Sequence, residues 1–278
     1  MVATVRPAAV AGSWYPGTAA AINKEVDRYL DDAARASAPG RLVGLVSPHA
    51  GLRYSGPVAA YGYGLLRGRS PLTAVLVGPS HRVAFEGVAV HGHGAWETPL
   101  GRVPIDESLA EAILRSADVA FEDATVHREE HSLEMQMPFL QRVVPDLRVV
   151  PMMMGTQSRS EVEDLSEALA GALAGREDVV LIASSDLSHY QPATVANRLD
   201  AVVVEHVGRF EPDALMERLQ THDNVACGGG PVVAVMKAAR ALGADRATVL
   251  KYGDSGDVAE GDKSHVVGYL SAALTASS

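Results

Sequence analysis

Leu72-Thr73-Ala74-Val75-Leu76-Val77-Gly78-Pro79-Ser80-His81 decides the fold: an apolar run broken only by Thr73 passes straight into a small loop that delivers a histidine. A run this short, rich in Val and Leu and without polar alternation, fits a strand buried on both faces of a parallel sheet. The pattern recurs. Leu42–Val46 leads into Ser47, Pro48 and His49, and Val179–Ala183 leads into Ser184, Ser185, Asp186 and His189. Open parallel sheets bind ligands beyond the carboxyl ends of their strands. His49, His81 and His189 are therefore expected together on one edge of one sheet.

Around these runs, strands and helices alternate. Helices are expected over Ala19–Ala36, Gly56–Arg67, Asp106–Arg115, His131–Val144, Ser160–Leu173, Ala196–Arg209, Pro212–Leu219 and Pro231–Leu242. Pro138 should kink or break the fourth of these, because it lacks the N–H that a helix interior needs. Further strands are expected at Gly87–His91, Leu147–Met154, Thr248–Tyr252 and His265–Leu270. The alternation predicts an α/β fold with a mostly parallel central sheet flanked by helices, made mixed by a hairpin-like pair at the end. No linker or internal period divides the 278 residues, so a single domain over 1–278 is expected.

Composition narrows the function. Hydrophobic residues are 47% and charged residues 21%, ordinary for a protein that buries a sizeable core. A net charge of −10 with no Lys/Arg stripe speaks against nucleic acid and anionic membranes as partners and leaves small molecules or proteins. Met1 to Pro7 lack the basic start and apolar stretch of a leader, no run is long enough to span a bilayer, and the cytoplasm is the expected compartment. The lone Cys227 excludes an intramolecular disulfide.

His49, His81 and Cys227 are the sharpest candidate ligand set, since neutral imidazole and thiolate suit iron, copper or zinc. Each histidine can instead cap a loop. Cys227 precedes Gly228-Gly229-Gly230-Pro231, at the start of a helix whose N-terminus should favour the thiolate. In Ser185-Asp186-Leu187-Ser188-His189, the carboxylate can orient the imidazole as an acid/base or cap the following turn. Glu129-Glu130-His131-Ser132-Leu133-Glu134-Met135-Gln136 is read as pocket lining, with His131 and Glu134 on one helical face. An exposed acidic first turn accounts for Glu129 and Glu130 but not for Gln136 between two methionines. Met152–Met154 read as buried strand, and His265 can approach from the last strand. No GxSxG elbow, Walker A or GxGxxG turn occurs.

Ala11-Gly12-Ser13-Trp14-Tyr15, Pro48-His49-Ala50-Gly51, Gly78-Pro79-Ser80-His81, Glu130-His131-Ser132-Leu133-Glu134, Ser184-Ser185-Asp186 with His189, and Cys227-Gly228 together resemble the Memo family, in order and over nearly the whole chain. Bacterial and archaeal members are called protein B of the AmmeMemoRadiSam system, which implies AMMECR-type and radical-SAM proteins as partners. The resemblance implies a domain like the LigB-type class III extradiol dioxygenases, whose non-heme Fe(II) is held by two histidines and a glutamate. Carried over, His49 and His81 match those histidines, Cys227 takes the third ligand position, and His189 matches the neighbouring active-site histidine with Asp186 beside it. Thiolate in place of carboxylate departs from the ring-cleaving enzymes and admits a softer metal. Fe(II) is expected first, copper second and zinc third, with Trp14 and Tyr54 as substrate-pocket walls. The function expected is a metal-dependent redox enzyme acting on a small molecule; the alternative is a metal carrier or adaptor that keeps the dioxygenase fold.

Overall fold

In the computed structural model, which describes residues 5–222, 225–258 and 261–277, the histidine-bearing runs form adjacent strands. These are β2 (Arg41–Ser47), β3 (Leu72–Pro79) and β9 (Val179–Ser184), counted in chain order after a short β1 (Val5–Arg6). β9 lies between β2 and β3 and runs parallel to both. β8 (Leu147–Met154) extends the parallel set beyond β3. Apart from Arg41 and Arg148 every residue of these four strands is buried, as continuous apolar runs demand when both sheet faces are covered. Met152, Met153 and Met154 are among them.

Both flanks turn the sheet mixed. β12 (Val266–Ala276) runs antiparallel to β2 and pairs antiparallel with β11 (Arg246–Asp254) and β10 (His189–Gln191). On the other side β4 (Val88–Val90) is antiparallel to β8 and parallel to β7 (Ala120–Glu122). A separate small sheet joins β1 to the hairpin β5 (Ala95–Thr98) and β6 (Gly101–Pro104).

Helices cover the sheet. α1 (Ala19–Asp32), α2 (Leu52–Tyr63) and α4 (Met137–Val143) pack together, with α2 against β2 and β12. α8 (Gly229–Ala241) packs on β9, β3 and β2 beside α5 (Arg159–Leu173) and α7 (Pro212–Thr221); α3 (Glu107–Ser116) joins α5, and α6 (Ala193–Gly208) covers β11 and β12. One apolar cluster runs from Val10 to Ala276. No helix among the described residues is long and apolar enough to cross a membrane. The reading of the first residues as leader-free falls partly on 1–4, outside the described residues.

The expected helix over His131–Val144 is corrected. Residues 134–136 form a 3-10 turn and α4 begins only at Met137, with Pro138 in its first turn where the missing N–H costs least. The β5–β6 hairpin and the short β1, β7 and β10 were not expected, being too brief to show a period.

Candidate metal centre

Because β2, β9 and β3 are adjacent and parallel, the loops after them leave the sheet at one edge. There a cavity of about 630 Å³ is lined by Trp14, His49, Tyr54, His81, His131, Asp186 and His189, together with Ser255, Asp262, His265 and Tyr269. His49, His81 and His131 each bring a ring nitrogen within 4.8 Å of the others. His49 and His131 are buried and His81 is exposed.

Each imidazole is fixed by a neighbour. The Glu130 carboxylate accepts the His81 backbone N–H at 2.6 Å and lies 3.0 Å from His81 Nδ1. A carboxylate oxygen only accepts, so Nδ1 carries the proton and Nε2 keeps its lone pair, the arrangement that orients metal-binding histidines. Burial would raise the Glu130 carboxyl, but the bonds from His81 and from the Ser132 N–H hold it well below the usual range. His131 stacks on His81 with centroids 4.6 Å apart, and Trp14 covers it at 4.1 Å. Burial lowers His131 to about 4, so it is neutral near pH 7.

The resemblance made Cys227 the third ligand, and the structure gives it a mixed placement. Cys227 Sγ lies 3.2 Å from His49 Nε2. The residue also lines a separate cavity of about 350 Å³ with Gln157, Met216 and Leu219. Gly228 permits this approach: a Cβ there would stand 2.4 Å from the Ser184 carbonyl oxygen. Burial first, and then the nearby Asp186, push the Cys227 thiol up, against the direction expected from the start of α8.

Asp186 does not orient His189. Its Oδ1 accepts the backbone N–H groups of His49 at 2.7 Å and Ala50 at 3.3 Å, capping the loop after β2 rather than its own turn. Burial pushes its carboxyl up to about 7. His189 Nδ1 instead donates to the Leu187 carbonyl at 2.8 Å, which leaves Nε2 as the basic nitrogen. Asp200 on α6 accepts the Ser188 N–H at 2.9 Å and so holds the turn before His189.

Glu134, expected in the pocket wall, lies behind it. Its carboxylate is turned to the N-terminal segment, where it accepts from Arg6 (2.7 Å), the Ala9 and Val10 N–H groups and the Tyr15 hydroxyl. It thereby anchors the segment that carries Trp14. Of the histidines away from the cavity, His91 is buried and accepts from Trp96 Nε1 at 2.8 Å, while His93 faces solvent near Glu107 and Glu122.

Glu130 and Ser184 are site residues the sequence did not single out. Glu130 passed for half of an exposed acidic pair, and only its burial separates it from exposed Glu129. Ser184 is one of several serines at strand ends, and only strand adjacency puts its hydroxyl 2.8 Å from His49 Nδ1.

The family described as Memo-like protein matches residues 6–273. A MEMO1 family protein of Methanothermobacter thermautotrophicus is 38% identical over 274 residues, 95% of this chain and 98% of that one. Another, of Thermotoga neapolitana, is 39% identical over 98% of this chain and 100% of its own length. Matched from end to end at this identity, the chain belongs to the Memo family.

Proposed function

We propose that the cavity holds a redox-active metal ion, Fe(II) first and copper second, on His49, His81 and Cys227, and acts on a small molecule. The carrying observation is the clustering of imidazole donors on the floor of an open cavity. Zinc–nitrogen bonds of about 2.0–2.1 Å keep two imidazole nitrogens on one ion within roughly 4.2 Å, so donors within 4.8 Å need only a small closure. The 3.2 Å from Cys227 Sγ to His49 Nε2 also suits two ligands of one ion, for which bond lengths of about 2.0 and 2.3 Å give roughly 3.1–3.6 Å. His131 is the competing third donor, its ring within the same cluster and its Nδ1 3.2 Å from the Glu130 carboxylate.

Such an ion, when bound, supplies Lewis-acid and one-electron chemistry. The chain supplies the rest. Trp14 and Tyr54 wall the substrate space, His189 Nε2 accepts a proton, and Asp186, with its carboxyl near 7, gives or takes one at neutral pH. The cavity's size favours an enzyme over a carrier, whose metal site would be closed.

The test is anaerobic purification with metal analysis, then oxygen uptake with catechol-like substrates for the wild type and His49→Ala. Metal content is expected to fall to background in His49→Ala; unchanged content sinks the ligand assignment, and no uptake with any substrate favours the carrier. Cobalt substitution decides the third donor. A thiolate charge-transfer band lost in Cys227→Ala supports the cysteine, and its absence from the wild type supports His131.

A further inference from the structure

Gln136, unexplained as a residue between two methionines, is fully buried, and its carboxamide is committed to the surroundings of His49. Its Oε1 accepts from the Tyr63 hydroxyl. Its Nε2 donates to Ser184 Oγ at 2.8 Å and to the Pro48 carbonyl at 3.1 Å, with the Ser132 carbonyl at 3.3 Å. Carbonyl oxygens cannot donate, so the nitrogen must face them and the oxygen must face Tyr63.

Ser184 then has no freedom. Its Oγ has one proton and two lone pairs. Gln136 Nε2 can only donate to it, and the Ser132 carbonyl, 2.7 Å away, can only accept from it. Were His49 Nδ1, at 2.8 Å, also to accept, two acceptors would compete for one proton. The network closes only if Nδ1–H donates to the remaining lone pair.

We infer that Gln136 and Ser184 are positioning residues that lock His49 in the Nδ1–H tautomer and so present its Nε2 as a lone pair at the cavity floor. The tautomer follows from the hydrogen bonds; its consequence for metal affinity rests on the function proposed above. His81 and His189 reach the same tautomer through other partners, Glu130 and the Leu187 carbonyl.

Long-range proton–nitrogen correlation spectra of the metal-free, 15N-labelled protein test this, with the His49 signals identified by their loss in His49→Asn. Wild-type His49 is expected as Nδ1–H. Ser184→Ala should mix its tautomers and weaken Zn(II) binding about 10- to 100-fold, the range for losing a group that orients a ligand. Tyr63→Phe keeps the stacked ring but removes the donor to Gln136 Oε1 and so loosens the carboxamide, which the Pro48 and Ser132 carbonyls still orient; it should shift the His49 signals less than Ser184→Ala, with a smaller loss of affinity. His81 and His189 signals should stay in place in both variants, which a general loosening would not allow. An Nε2–H signal in the wild type overturns the proposal, as do unchanged His49 signals in both variants. A wild type that shows Nδ1–H but binds neither zinc nor Fe(II) nor copper leaves the lock standing and removes the metal reading.

Discussion

Glu129 and Glu130 are adjacent, chemically identical and opposite in consequence. All four hydrogen bonds to the Glu130 carboxylate come from N–H groups: the His81 ring and backbone, and the backbones of His131 and Ser132. Glu130→Gln must aim an amide N–H₂ at a donor. It is expected to cost about 1–3 kcal/mol of stability, the penalty of unmet buried donors, and about 10- to 100-fold in metal affinity. Urea unfolding and equilibrium dialysis measure the two, with Glu129→Gln as the silent control. Which glutamate mattered was not legible in the sequence, because burial, not residue type, separates them. His49, His81 and His189 were legible because each follows a run that could only be a buried strand.

Short segments made the hardest elements to read and do much of the positioning. The stretch from Thr125 to Gln136 has little regular structure, yet it carries Glu130, His131, Glu134 and Gln136. A guanidinium from β1 holds it: Arg6 donates to the His127 and Glu130 carbonyls and to Glu134, and lies 4.2 Å over the Trp96 ring. Pro138 was correctly read as a break, but what replaces the helix there depends on a partner more than a hundred residues away. Arg6→Met leaves the Glu134 charge buried without its cation. It should destabilise the fold by about 3–5 kcal/mol in urea unfolding, and Tyr15→Phe, which removes one hydrogen bond, by about 1 kcal/mol. Equal effects of the two would show that the ion pair is not what anchors the segment.

Across the whole molecule, neutral histidines are buried away from the cavity as well as in it. Burial lowers His91 to about 4 and His127 to about 3, from 6.5 in the unfolded chain. The unfolded state therefore takes up protons first, and stability is complete above pH 6.5 and lost as the pH falls toward these folded-state values. Each group contributes a slope of about 1.4 kcal/mol per pH unit within its window. Urea midpoints from pH 7 to pH 4 should fall steeply in the wild type and less steeply in His127→Gln; parallel curves would exclude His127 as a source. The fold class was legible from strand runs alone, but the order β2-β9-β3 was not, since pairing partners lie far apart along the chain. That order also means that no short stretch of the chain contains the site: residues 49, 81, 130, 184 and 227 are spread along the chain and meet only once the central sheet has formed. An ion bound there would stabilise the native state alone, by about 2.7 kcal/mol at a hundredfold excess over its dissociation constant. Metal supply would then set how long each copy of the protein survives proteolysis, quite apart from any chemistry at the site.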